Sequence, residues 1–93
     1  MMNNNLDKII STIQYNPATF VEDLEKQMPG YQVGEFDFTT VSDGYTAGDI
    51  LVNWLSKRTT DKKVLDYQTT VIFHKDIFDH DKPLYIIAIK VED

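Results

Sequence analysis

Residues 84–91, with the sequence LYIIAIKV, limit the possible folds of this 93-residue chain more than any other segment. Their β-branched and aromatic side chains favour a strand, and that strand is apolar on both of its faces. Such a strand either lies in the centre of a sheet that is covered on both sides, or uses one face against another subunit. We therefore predict a central strand here and a possible homodimer through strand 84–91.

The N-terminal third of the chain has the spacing of two short helices. The first ends before Pro17, because a residue that precedes proline is pushed out of the helical region. The second is capped either by Asn16, with Pro17 in its first turn, or by Thr19, where Glu22 completes a capping-box pattern. It stops at Pro29 and Gly30. The predicted buried faces are Leu6, Ile9, Ile10 and Ile13 in the first helix and Phe20, Val21, Leu24 and Met28 in the second.

Strand patterns follow the helices. Alternation in residues 31–41 predicts a strand that buries Phe36 and Phe38 and turns the acids between them to solvent. Residues 64–74, VLDYQTTVIFH, are β-branched and aromatic and predict another strand.

Residues 46–58 fit two secondary structures. As a strand, the segment would turn Ile50, Val52 and Trp54 inward. As a helix, it would place Ile50, Leu51, Trp54 and Leu55 on one face. We favour the strand and expect Trp54 in the core.

The predicted architecture is α+β, with residues 1–93 forming a single domain. Two short N-terminal helices pack on a four-stranded antiparallel meander sheet. The alternative is a sheet of three strands with residues 46–58 helical.

The negative charge of the chain is concentrated in its first half. Residues 1–49 carry eight acidic residues and two lysines, whereas residues 50–93 carry seven acidic and seven basic residues. Such an asymmetry creates a one-sided field that favours a basic partner. Glu35 and Asp37 share one strand face, where solvated acids explain them more simply than paired catalytic carboxylates. The predicted partner-binding face consists of Glu22, Asp23, Glu25, Glu35, Asp37 and Asp43.

No catalytic or cofactor motif accompanies these acids, so we predict a non-enzymatic binding protein without a cofactor. An acidic face fits the grooves of proteins that grip nucleic acid, because those grooves are lined with lysine and arginine. The expected function is an inhibitor that docks on such a basic surface, for example a phage-type anti-defence or anti-CRISPR protein.

A basic cluster supports one alternative, a nucleic-acid-binding or nucleoprotein module. A β-ribbon with a basic tip can enter a groove of nucleic acid. The formal net charge of −6 argues against such binding. The residues that surround the predicted hairpin tip are Lys57, Arg58, Lys62 and Lys63.

A polar loop supports a second alternative, a small metal-dependent hydrolase. Histidine and aspartate are metal ligands, but their spacing here matches neither an EF-hand nor a zinc motif. We favour a solvated loop in which Ile77 and Phe78 tuck underneath as a plug. The residues that carry the metal hypothesis are His74, Asp76, Asp79, His80 and Asp81.

The chain has no cysteine, no apolar run near the ~20 residues of a membrane span, and no signal-peptide pattern at its start. We therefore expect a soluble protein of the cytoplasm, with no membrane contact.

Overall fold

The computed structural model describes residues 5–37, 47–75 and 77–92. Its elements are α1 (Asn5–Ile10), α2 (Phe20–Gln27), β1 (Gln32–Asp37), α3 (Ala47–Thr59), β2 (Val64–Lys75) and β3 (Asp81–Val91). The three strands form one antiparallel sheet in the spatial order β1-β3-β2. The fold within these ranges is therefore α+β, with three helices and three strands.

The four-stranded meander is wrong, and the alternative with three strands and a third helix is confirmed. Residues 47–59 are helical because Leu51, Trp54 and Leu55, at positions i, i+3 and i+4, all pack against the sheet. The alternating pattern was misleading, since Ile50 and Val52 lie on the exposed side of α3.

The connection through α3 explains why the sheet is not a meander. β1 and β2 both run antiparallel to β3, so they are parallel to each other. Parallel strands need a long crossover, which is usually a helix, and α3 supplies it. α3 has 13 residues, and no helix in the described ranges is long and apolar enough to cross a bilayer.

The central position predicted for residues 84–91 is confirmed. Leu84, Ile86 and Ala88 of β3 face α1 and α2, whereas Ile87 and Ile89 face the side of the sheet that α3 covers. All five are buried. The apolar surface of this strand is therefore covered within the chain by helices on both faces.

The larger of the two cores lies between the sheet and the N-terminal helices. Leu6 of α1 and Phe20 and Leu24 of α2 are completely buried there, as their helical spacing predicts, and Met28 follows the end of α2. Burial of each such side chain contributes about 1.5–3 kcal/mol. The core therefore fixes two helices of only 6 and 8 residues, which would be unstable alone.

The smaller core, beneath α3, depends on a glycine in β1. The ring of Trp54 meets that of Phe36 edge-on, with centroids 5.7 Å apart and an interplanar angle of 80°. A Cβ atom on Gly34 would lie 2.7 Å from Cε2 of Phe36 and 2.9 Å from Cε2 of Trp54. The missing side chain therefore lets these two rings lie directly on the strand.

Replacing Gly34 with alanine should loosen the packing of α3. The added methyl group must displace the Phe36 or Trp54 ring, and overpacking of this kind costs about 1–3 kcal/mol. Because Trp54 is the only tryptophan, urea unfolding followed by its fluorescence measures this cost, and its native emission should shift to the red.

Gly48→Ala is the matched control, because Gly48 is exposed in the first turn of α3 and alanine is the better helix former. It should leave stability unchanged or raise it. Equal unfolding midpoints and emission spectra for Gly34→Ala and the wild type would show that Gly34 does not set the packing of α3.

Candidate functional site

An open groove of about 480 Å³ lies at one end of the sheet, on the face that carries α1 and α2. Tyr15, in the connection between α1 and α2, forms one wall, and Leu84 contributes apolar surface. Asp37, His74 and Lys82 add polar groups. Aromatic, apolar and charged groups thus line one concavity, which is a common setting for ligand or partner binding.

Strand register brings the polar groups of the groove together. On β1, Glu35 and Asp37 lie opposite Ile86 and Leu84 of the helix-covered face. His74 lies opposite Lys82 across the β2–β3 pair. Residues two apart on a strand share a face, so both acids point toward this side of the sheet.

Tyr15 connects the groove to the core. Its ring centroid lies 4.9 Å from that of Phe20 and 4.6 Å from that of His74. The turn that follows Tyr15 is held by Asn16, whose Oδ1 accepts a hydrogen bond of 3.0 Å from the backbone N–H of Ala18. The Tyr15 hydroxyl donates to Oε1 of Glu35 at 3.4 Å, which is a long and weak hydrogen bond.

The carboxyl group of Glu35 is partly buried in the site. Its Oε2 is buried and has no hydrogen-bond partner within the described residues. Burial raises the pKa of Glu35, while the hydrogen bond from Tyr15 and the charge of His74 act in the opposite direction. Burial also raises the pKa of Tyr15, with a further contribution from Glu35. The site therefore holds a proton on Glu35 more tightly than water would.

The position of Glu35 corrects one expectation from the sequence. Alternation predicts that Glu35 and Asp37 face solvent, because Phe36 and Phe38 face a core. The structure covers both faces of β1, so Glu35 is half-buried beneath Tyr15 and Asp37 lines the groove. Asp43 and Phe38 lie outside the described residues.

The three acids of α2 differ from one another in exposure and in hydrogen bonding. Glu22 is exposed. Asp23 is half-buried and accepts a hydrogen bond of 3.1 Å from the hydroxyl of Thr19. Oε2 of Glu25 accepts a 3.1 Å bond from the backbone N–H of Val33 and so ties α2 to β1. Two of the three acids of α2, Asp23 and Glu25, are thus engaged in hydrogen bonds within the chain.

The four basic residues do not surround a hairpin tip, because residues 47–59 are helical. Lys57 and Arg58 occupy the last turn of α3, and Lys62 and Lys63 lie exposed before β2. The guanidinium of Arg58 lies 4.2 Å from the ring centroid of Trp54, and its Nη1 donates to the Trp54 carbonyl at 3.2 Å. Three lysines of this cluster are therefore exposed, and their use on nucleic acid stays a prediction.

The histidines and aspartates predicted as a metal site are divided. His74 lines the groove beside Tyr15. The carboxylates of Asp79 and Asp81 lie 3.4 and 3.5 Å from the ammonium of Lys75. In the part of the chain that the structure describes, no three His, Asp or Glu side chains group in a way that could hold a metal ion. His80 is exposed, and Asp76 lies outside the described residues.

Ile77 and Phe78 do not form a plug, and that prediction is wrong. They are 92% and 72% exposed at the turn between β2 and β3. β2 extends to Lys75 and β3 begins at Asp81, so the turn is too short to fold back over apolar side chains. The two residues line the outer part of the groove instead, and we call them the groove rim.

A second exposed apolar surface lies on the sheet beside α3. We call it the β2 row, and it consists of Tyr67, Val71 and Phe73, which are 64%, 49% and 71% exposed. Register places these residues opposite Ile89, Tyr85 and Pro83, on the side of the sheet that carries α3. The core under α3 is built on β1 and β3, so the row lies beyond the helix.

Sequence reasoning missed Tyr15, Lys82 and the β2 row. The row was detectable, because its residues alternate along VLDYQTTVIFH and must share one face. Tyr15 and Lys82 carried no local signal, since only the tertiary fold brings them to His74.

Comparison with known proteins gives no family for this chain. It matches no protein-family model. Searches of the curated proteins and of the solved structures also return no match.

Replacing Glu35 with glutamine should stabilise the fold at neutral pH. Since the pKa of Glu35 is raised in the folded state, its contribution to stability is fully present below the unfolded pKa and is lost as the pH rises through the folded pKa. Glutamine has the same shape without this titration. Thermal unfolding midpoints should therefore be higher for Glu35→Gln at neutral pH, and the difference should shrink on acidification.

Glu22→Gln is the control, since Glu22 is exposed on α2. It should show little of this pH-dependent difference. A Glu35→Gln protein that is less stable than the wild type at neutral pH would mean that the ionised carboxylate is favoured in the fold.

Proposed function

We propose that the protein is a small non-enzymatic binding protein and that its partner contacts the groove rim. The observation that carries this proposal is the exposure of Ile77 and Phe78, 92% and 72%, side by side on a short turn. Exposing large apolar side chains to water is unfavourable in free energy, and burying them against a partner removes that penalty.

The concavity behind the rim supports the same proposal. A projecting part of the partner can occupy the groove between Tyr15 and the rim, while Ile77 and Phe78 cover it from outside. Aromatic anchors beside a pocket are typical of the residues that dominate binding energies. Asp37, His74 and Lys82 would then provide polar contacts around the apolar centre.

The charge of the chain favours a basic partner. The formal net charge of −6 attracts positively charged surfaces and steers their approach. An inhibitor that occludes the basic groove of a nucleic-acid-handling protein is one member of this class. The phage-type anti-defence or anti-CRISPR protein and the cytoplasmic location stay predictions from size, charge and cysteine content.

Replacing both rim residues with serine should weaken partner binding strongly without unfolding the protein. We expect Ile77→Ser/Phe78→Ser to weaken binding roughly a hundredfold, because each anchor residue contributes about 1–2 kcal/mol. Partners captured from host extracts with the wild type are identified first and purified. Their affinity for each variant is then measured by calorimetry at low and high salt.

Val52→Ser is the matched control, because Val52 is also an exposed apolar residue but lies on α3. It should retain wild-type affinity. A purified partner that binds the rim variant and the wild type equally would exclude the rim as the contact. Affinity that does not change with salt would exclude the electrostatic contribution, because exposed charges are screened over ~8–10 Å.

A further inference from the structure

β2 is an edge strand of the sheet that the described residues form. β2 has 12 residues and lies at one side of the sheet, and in the described ranges no strand pairs with that side. Natural edge strands are usually protected by proline, bulges or inward-pointing charges. Along β2, a register shift occurs only between Val64 and Asp66, near its start. From Tyr67 to His74 the strand contains no proline and no bulge, so another strand could pair with it.

The residue order of β2 is complementary to itself. If two copies pair antiparallel about Thr70, each Tyr67 lies opposite Phe73 of the second copy. On the other face, each Asp66, which also accepts hydrogen bonds from Tyr31 and Gln68 of its own chain, lies opposite His74 of the second copy. Aromatic pairs are among the cross-strand neighbours that stabilise sheets. An imidazole can also donate a hydrogen bond to a carboxylate that lies opposite it. The same pairing also brings the β2 rows of both copies together on one continuous face.

Neighbouring registers lack this complementarity. A two-residue shift that centres the pair on Val71 sets Tyr67 opposite Lys75 and so loses the aromatic pair. The opposite shift sets Asp66 against Ile72, which desolvates a carboxylate beside an apolar side chain. Shifts by one residue turn the β2 row to the wrong face. The register centred on Thr70 is therefore favoured on both faces.

Charges at the two ends of β2 favour the antiparallel direction. Residues 57–63, before the strand, carry four basic residues and one acid. Residues 75–82, at its other end, carry three acids and two lysines. Antiparallel pairing places the basic end of each copy beside the weakly acidic end of the other, whereas parallel pairing would place the two basic ends together.

We propose that a second copy of this chain pairs with β2 along its open edge, antiparallel and about a two-fold axis at Thr70. The result is a six-stranded sheet in which the same edge of both copies is used, as in other isologous dimers. The proposed interface lies on β2, because the central strand that the sequence suggested for dimerisation is buried within the chain. This proposal rests on β2 alone and does not depend on the groove rim.

The first test is the mass of the particle in solution. Sedimentation equilibrium of the full chain should give twice the 10.8 kDa of one copy at high concentration and a reversible fall on dilution. Val71→Lys should weaken the dimer by roughly tenfold or more, because two lysines then face each other diagonally across the axis. Val71 is about half exposed, so this change opens no cavity.

Val52→Lys makes the same substitution on the exposed side of α3 and should leave the dimer unchanged. A wild type that is monomeric at every concentration would overturn the proposal. A dimer that Val71→Lys does not weaken would overturn it as well.

The second test measures the register, and the chain suits it because it has no cysteine. Thr70→Cys should form a disulfide between copies under mild oxidation, since directly opposite residues of an antiparallel pair have Cα atoms about 4.5–5.5 Å apart, within disulfide range. Val52→Cys should remain largely unlinked. Faster cross-linking by Val71→Cys than by Thr70→Cys would contradict the axis at Thr70.

Discussion

The burial of β3 on both faces is the constraint on which the rest of the structure depends. Ile86 and Ala88 point to one helical layer, and Ile87 and Ile89 point to the other. Neither layer can be omitted, because uncovering either face would expose several large apolar side chains to water. α1 and α2 cover one face, and α3 is left to cover the other.

The cover provided by α3 is incomplete, and this determines where apolar surface remains. The helix packs over β1 and β3, around Phe36 and Trp54. The third strand, β2, is outside its reach, so the side chains of the β2 row remain in contact with water. An exposed apolar row on an edge strand is the feature that supports the proposed pairing of two copies through β2.

Much of the fold could be predicted from residue patterns, and the exceptions have physical causes. The buried stripe of α2 and the central position of residues 84–91 followed from periodicity. The segment around Trp54 failed, because Ile50, Val52 and Trp54 also alternate, and short apolar patterns suit both helix and strand. The sheet topology distinguishes the two, because β1 and β2 are parallel and the connection between parallel strands is usually a helix.

The candidate site shows a different limit of sequence reasoning. Alternation places Glu35 and Asp37 on one face of β1. It cannot show that this face is also buried, because that depends on helices covering both faces of the sheet. The contact of Tyr15 with Glu35 joins residues 20 positions apart, and that of Tyr15 with His74 depends on the complete sheet. Ile77 and Phe78 were expected to be buried because they are apolar, and only the structure shows that the turn between β2 and β3 is too short to cover them.

The uneven charge of the chain is compatible with association through β2. The acidic strand β1, with Glu35 and Asp37, lies at the opposite edge of the sheet from β2. In a six-stranded sheet the two copies of β1 would be five strand spacings apart, or about 24 Å at about 4.8 Å each. This exceeds the Debye length of about 8 Å at physiological ionic strength. Repulsion between the acidic edges would therefore be largely screened.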